Sequence, residues 1–153
     1  MRIIVFDPSG NFKEGKGTSG ICVVDSGRVT ELYQIRAKDF SETEAYWYAH
    51  IELIKNHNWD WVVIEGYRLY NHRGMKASSQ SNSEFETVQL IGALKMACWM
   101  NHIPCTIQYA SEVKSRWSEK VLVNLGILEN SNGRYYFNGL PTNTHQRDAL
   151  KHA

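Results

Sequence analysis

Apolar and polar positions change period several times along the chain, and each change marks an element. Residues 2–6 (RIIVF) are a short continuous apolar run closed by Asp7-Pro8-Ser9-Gly10, which predicts a buried strand. Residues 18–24 and 29–35 read as two further strands, joined as a hairpin by Asp25-Ser26-Gly27-Arg28. Ser41-Glu42-Thr43-Glu44 has the form of a capping box, with Ser41 as N-cap and Glu44 at the third helical position. The helix it opens runs to about Asn56, with Ala45, Tyr48, Ala49, Glu52 and Lys55 along one stripe and Ile51 and Ile54 beside it. Residues 60–64 (DWVVI) are apolar enough for a central strand.

The stretch 71–83 (NHRGMKASSQSNS) is polar and aperiodic, so it reads as a loop. A helix from about 84 to 101 is apolar on more than one face and carries Gly92, Ala93 and Ala97, which permit close approach of a neighbour. Pro104 forbids its continuation, and 103–109 reads as a fifth strand. Ser111 is placed to cap a short helix carrying Lys114, and a second short helix over 118–125 stops at Gly126. Asn132-Gly133 and Asn138-Gly139 mark turns around residues 134–137, and 144–152 (THQRDALKH) reads as a last short helix. Three strands, then helix, strand, helix, strand and helices predict an α/β fold with a mixed sheet. No repeat or linker divides the 153 residues, so a single domain over 1–153 is expected.

Composition removes several classes of function. No apolar run approaches the roughly 18 residues of a membrane helix. The opening MRIIVFD does not have the form of a signal peptide. Cys22, Cys98 and Cys105 form no CxxC, which argues against a disulfide scaffold or a cysteine zinc site and fits a reducing cytoplasm. The net charge of +1 conceals an uneven distribution. Residues 31–60 are mostly acidic, residues 66–83 contain no acid but carry Arg68, Arg73 and Lys76, and the chain from Lys114 onward is mostly basic. That pattern fits one basic face meeting phosphate, and it also fits scattered solvated charge.

Three acids are placed to converge: Asp7 and Glu65 at strand ends, and Asp148 on the last helix. Carboxylates brought together repel unless a cation lies between them, and hard oxygen ligands suit Mg²⁺ or Mn²⁺. Two such ions can activate water and stabilise the leaving oxygen in phosphodiester hydrolysis. Singly, each acid fits a turn or a solvated strand end. His145 lies three residues before Asp148 and His152 four after it, so both share its helix face; both also fit an exposed surface.

In order along the chain, FDPSG (6–10) with GTSG (17–20), VVIEGY (62–67), QYASEVKSRW (108–117) and HQRDALKHA (145–153) resemble the RuvC-type Holliday-junction resolvases. That family has a ribonuclease-H-like fold, a mixed five-stranded sheet flanked by helices. The resemblance spans nearly the whole chain. It implies a homodimeric, Mg²⁺-dependent endonuclease that cuts branched DNA such as a four-way junction. Asp7, Glu65 and Asp148 match the family's metal-binding acids, and His145 falls where some members have Asp and others His, which implies a fourth active-site residue that holds the second metal or positions water. Its imidazole tilts the metal preference toward Mn²⁺. Lys114 matches a lysine that faces DNA. The family places wedge aromatics shortly after the strand-four acid; here Arg68 and Leu69 stand there, with Tyr67 and Tyr70 flanking them. The short last helix and divergent loop look more similar to phage-borne members, which act in the bacterial host cytosol.

On this reading Arg68, Arg73, Lys76 and Lys114 bind backbone phosphates, and Tyr67 and Tyr70 stack on bases or simply pack. The helix 84–101 dimerises through Gly92, Ala93 and Ala97, or is buried within one subunit. Two alternatives stand beside it: a ribonuclease-H-type enzyme acting on RNA–DNA hybrids, and a non-catalytic module binding branched DNA. An actin-like ATP-binding protein is set aside, because that class needs a second such domain.

Overall fold

The computed structural model describes residues 1–67 and 82–153. Strands β1 (Arg2–Asp7), β2 (Thr18–Asp25), β3 (Arg28–Arg36), β4 (Trp61–Gly66) and β5 (Cys105–Tyr109) form a mixed sheet in the order β3-β2-β1-β4-β5. The first three strands are antiparallel neighbours, whereas β4 and β5 run parallel to β1. The β2–β3 hairpin turns through Ser26 and Gly27, both at positive φ (51° and 77°), the two-residue turn whose twist matches the strands it joins.

Alternation along β1 divides the interior in two. Ile4 and Phe6 face helices α1 (Thr43–Lys55) and α2 (Asn82–Met100), in a core with Ile21, Ile54, Val62, Ile64, Leu90 and Leu94. Val5 faces the other way, into a core with Cys22, Leu122, Leu128, Ala149 and Leu150. That second core is closed by α4 (Glu119–Asn124) and α5 (Thr144–His152). A strand buried on both faces reads as a continuous apolar run, which is why RIIVF shows no alternation of its own.

Helix α1 departs from its sequence signature. Its N-cap is Glu42, not Ser41, and no side chain caps it. The 3₁₀ turn Ala37–Asp39 and the Phe40 ring, 5.7 Å from Tyr46, set the start of the helix instead. Its buried face is Tyr46, His50 and Ile54, spaced four apart, while Tyr48 of the expected stripe is exposed. The periodicity hides this face because two of its three members are polar.

Helix α2 buries Leu90, Leu94, Ala97 and Cys98 against the sheet and exposes Phe85, Val88, Met96, Trp99 and Met100. Ala97, expected at a dimer contact, belongs to the intramolecular core; Gly92 remains on the open face. Helix α3 (Ala110–Val113) starts after Tyr109 rather than at Ser111, because the Glu112 carboxylate turns back to accept the Tyr109 amide at 2.5 Å.

Residues 129–141 are legible in the sequence only as turns. They form a second sheet of β6 (Glu129–Ser131), β7 (Arg134–Phe137) and β8 (Leu140–Pro141), with Asn132-Gly133 and Asn138-Gly139 at its corners. Tyr135 and Phe137 pack against the second core, and Arg147 of α5 stacks 5.1 Å from the Tyr135 ring. The small sheet thereby buttresses α5. Among the described residues, no helix is long and apolar enough to cross a membrane.

Candidate metal centre

Register brings the first two acids together. β1 and β4 are parallel with Phe6 opposite Ile64, so Asp7 and Glu65 follow as neighbours. Asp7 shares its face with Val5, and Glu65 with Val63, so both point toward α5. Helix α5 starts cleanly because Asn143 accepts the Gln146 amide at 2.8 Å while the Gln146 side chain accepts that of Asn143 at 2.9 Å. It can approach the sheet because Gly20, opposite Asp7, has no side chain; any Cβ there would overlap the His145 carbonyl. Asp148 completes a cluster in which one oxygen from each of Asp7, Glu65 and Asp148 lies within 4.8 Å of the others.

Each acid has basic partners, and most come from one helix. His145 Nδ1 lies 2.9 Å from Asp7 Oδ2. Lys114, at the end of α3, places its Nζ 3.0 Å from Glu65 and 2.8 Å from Asp148. Lys151 Nζ reaches Asp148 at 3.0 Å and Glu119 at 2.8 Å. His152 Nε2 stands 3.2 Å from Glu65 Oε2. Positions 145, 148, 151 and 152 form one face of α5, which carries every basic partner of the acids named here except Lys114.

The environment separates the carboxylates. Burial pushes Asp7 up to about 6, against the hydrogen bond with His145 and with help from the nearby Glu65 charge. Burial acts on Glu65 in the same direction, but His152 and Lys114 together outweigh it and bring this acid down to about 2. His145 is raised by its contact with Asp7. Two carboxyl groups in one cluster, held apart in proton affinity, are a pattern of functional sites more than of packing.

The turn after Asp7 is fixed from three elements. Ser19 of β2 accepts the Ser9 amide at 3.0 Å, and the Tyr46 hydroxyl of α1 donates to the Ser9 carbonyl at 2.5 Å. Thr87 and Glu86 of α2 accept the amides of Gly10 and Phe12 at 3.0 and 2.9 Å. Behind Ser19, the buried His50 bonds the Tyr46 carbonyl through Nδ1 and the Ser19 hydroxyl through Nε2, both at 2.8 Å.

The donor set fits a hard divalent cation. Its ligands are oxygens, one from each acid within 4.8 Å of the others, and the Lys114 ammonium already supplies positive charge between two of the acids. Asp7, Glu65 and Asp148 are the residues that would hold it. His145 lies beside this group through Asp7 rather than within it.

Of the other residues singled out in the sequence, Lys114 is half-buried and directed at the acids. Tyr67 is partly buried at the end of β4. Arg68, Tyr70, Arg73 and Lys76 lie outside the described residues. Lys114 and Lys151 direct their charge at Glu65 and Asp148, so these two bases of the C-terminal third face the site, while Arg147 pairs with Glu119. Sequence reasoning misses Lys151, Glu119 and Gln108, and it gives His152 no role. The available signal is the spacing of Lys151 and His152, three and four residues after Asp148.

The fold is RuvC-like, of the ribonuclease-H class. Thermus thermophilus RuvC in complex with a Holliday junction substrate is similar to the chain at a TM-score of 0.66 and 17% identity, over 100% of this chain and 90% of that one. A second Thermus thermophilus RuvC structure aligns at 0.62 and 16%, over 100% and 91%. No family model matches the sequence, and no curated protein matches it.

Proposed function

We propose that this chain is a metal-dependent, structure-selective endonuclease that cleaves Holliday junctions and other branched DNA. The observation that carries the reading is the convergence of Asp7, Glu65 and Asp148 within 4.8 Å on a RuvC-like fold. One of the similar structures holds a Holliday junction substrate. The sequence motifs around these acids support the same assignment.

Bound divalent metal, Mg²⁺ or Mn²⁺, supplies Lewis acidity for phosphodiester hydrolysis. The chain's own residues provide the rest. Asp7, Glu65 and Asp148 hold the metal at the ends of β1 and β4 and on α5. His145, bonded to Asp7 through Nδ1, orients its ring toward the scissile phosphate and positions the attacking water. Lys114 turns from the acids toward a phosphate oxygen of the DNA. Arg68, Arg73 and Lys76, which follow β4 in the chain, bind backbone phosphates, and Tyr67 and Tyr70 stack at the branch point.

A second copy of the chain completes the enzyme. The exposed apolar residues of α2, with Trp99 74% and Met96 56% exposed, form the face on which two subunits meet. Two-fold symmetry then sets a pair of active sites against the two strands of a junction.

The test is cleavage of a labelled four-way junction beside linear duplex and RNA–DNA hybrid, with Mg²⁺, Mn²⁺ or EDTA. Metal-dependent paired nicks in the junction are expected. Cutting of the hybrid instead would make the protein a ribonuclease H, and junction binding without product under either metal would make it a non-catalytic module.

A further inference from the structure

Glu65 has a neighbour in the sheet whose place follows from register. β4 and β5 are parallel with Glu65 opposite Gln108, so the two side chains stand side by side on the face that meets α5. His152, in the last turn of α5, bridges them. Its Nδ1 lies 2.9 Å from Gln108 Oε1 and its Nε2 lies 3.2 Å from Glu65 Oε2. The His152 side chain is fully buried.

The second contact is not yet a straight hydrogen bond. His152 Nε2 and Glu65 Oε2 are both sealed from solvent, and neither has another hydrogen-bond partner. Buried polar atoms without partners are rare because their desolvation is uncompensated. Two such atoms facing each other at 3.2 Å are each other's available partner. A half-turn of the Gln108 amide, exchanging its oxygen for its NH₂, makes Nδ1 the acceptor and leaves Nε2 as the donor, aimed at Glu65.

We propose that Gln108 and His152 are a positioning pair that orients the Glu65 carboxylate, fixing Oε2 in the protein so that Oε1 faces the cation. This rests on the metal-nuclease reading above. The arrangement matches the way metal-binding carboxylates are commonly held by a second group that does not touch the ion. It also explains a buried histidine at a helix end with no apolar role. His152 is a positioning residue, because its ring nitrogens face Gln108 and Glu65.

The experiment is calorimetric titration of Mn²⁺ into the full chain without DNA, for the wild type, His152→Ala, His152→Gln and Gln108→Leu. Loss of such a supporting partner typically weakens metal binding about 10- to 100-fold, and that loss is expected for His152→Ala. His152→Gln, which keeps an N–H of similar reach, should recover part of it. Gln108→Leu should show a smaller loss of the same kind. Thermal unfolding in EDTA identifies folded variants, and if His152→Ala does not fold, Gln108→Leu decides by the same criterion. A dissociation constant within twofold of wild type in a folded variant overturns the positioning role while leaving the metal site intact. No Mn²⁺ binding by the wild type would instead overturn the metal site itself, and this role with it.

Discussion

Lys114 places its ammonium 2.8 Å from the Asp148 carboxylate, and the same Nζ lies 3.0 Å from Glu65. The lysine therefore stands where positive charge is needed when no metal is bound. Burial disfavours its charge, but both carboxylates favour it more, and its pKa is raised. Lys114→Met should lower the stability of the metal-free protein by about 1 kcal/mol, allowing for partial exposure. That is a few degrees in Tm. Because the variant lacks its internal cation, Mn²⁺ should raise its Tm more than it raises that of the wild type. Thermal unfolding with and without Mn²⁺ measures both, and equal metal-induced shifts would remove Lys114 from the charge balance of the site.

Asp7 carries the opposite sign. Its folded pKa of about 6 lies above the ordinary value of 3.8, so the native state binds the extra proton between those values. Stability from this group is present at low pH and is lost as pH rises through about 6. Asp7→Asn should therefore stabilise the metal-free protein at pH 8, by on the order of 1–3 kcal/mol, while abolishing cleavage and retaining junction binding. Chemical denaturation in EDTA tests the first part. A destabilised variant would show that the His145 contact outweighs the cost of burying the Asp7 charge and the repulsion among the acids.

His50 acts with the opposite sign over much of the same pH range. It is buried and neutral, and burial lowers its pKa from 6.5 to about 4. The unfolded chain takes up this proton first, so stability is lost as pH falls from about 6.5 to 4. The full loss is about 3 kcal/mol, at roughly 1.4 kcal/mol per pH unit. Urea denaturation between pH 7 and 4.5 should show a greater loss on acidification in the wild type than in His50→Gln, and because Asp7 titrates in both, the difference between the two curves is the His50 contribution. Glu65, depressed to about 2, contributes only below its ordinary 4.5, so the two effects separate.

Trp99 is 74% exposed on the outer face of α2 and belongs to neither core. Trp99→Glu should leave the Tm of the isolated subunit little changed but shift light scattering from dimer to monomer at micromolar concentration. Paired nicking of a junction should then give way to single nicks. A wild-type monomer under the same conditions would remove this face from the assembly.

Charge reversal at Arg73 and Lys76 should weaken junction binding and reduce the slope of log K against log salt by about 2, one for each phosphate left without its cationic side chain. Electrophoretic binding assays at several salt concentrations read this directly. An unchanged slope would take that stretch off the DNA.

The order of the five main strands and of the helices, the mixed sheet, and the position of Asp7 and Glu65 at strand ends can all be read from the amino-acid sequence. Those features follow from period, from the Asp-Pro-Ser-Gly and Ser-Gly turns, and from the length of the apolar runs, all local properties of consecutive residues. Spacing alone also puts His145, Asp148 and His152 on one helix face. Which neighbours each acid meets is a matter of tertiary packing. Lys114 and Lys151 turn inward because the buried carboxylates need compensation within a few ångströms, a requirement that no local pattern records. Gly20 is one strand residue among others until α5 is laid across it. Gln108 gains its place from the parallel register of β4 and β5, and Ala97 its burial from the side of α2 that faces the sheet. The small sheet over residues 129–141 escapes a sequence reading because its strands are too short to show alternation, while its function as a buttress depends on Arg147 and Tyr135 meeting in space. Local sequence sets which element forms. Long-range packing of charges and close approaches sets what the elements present to one another.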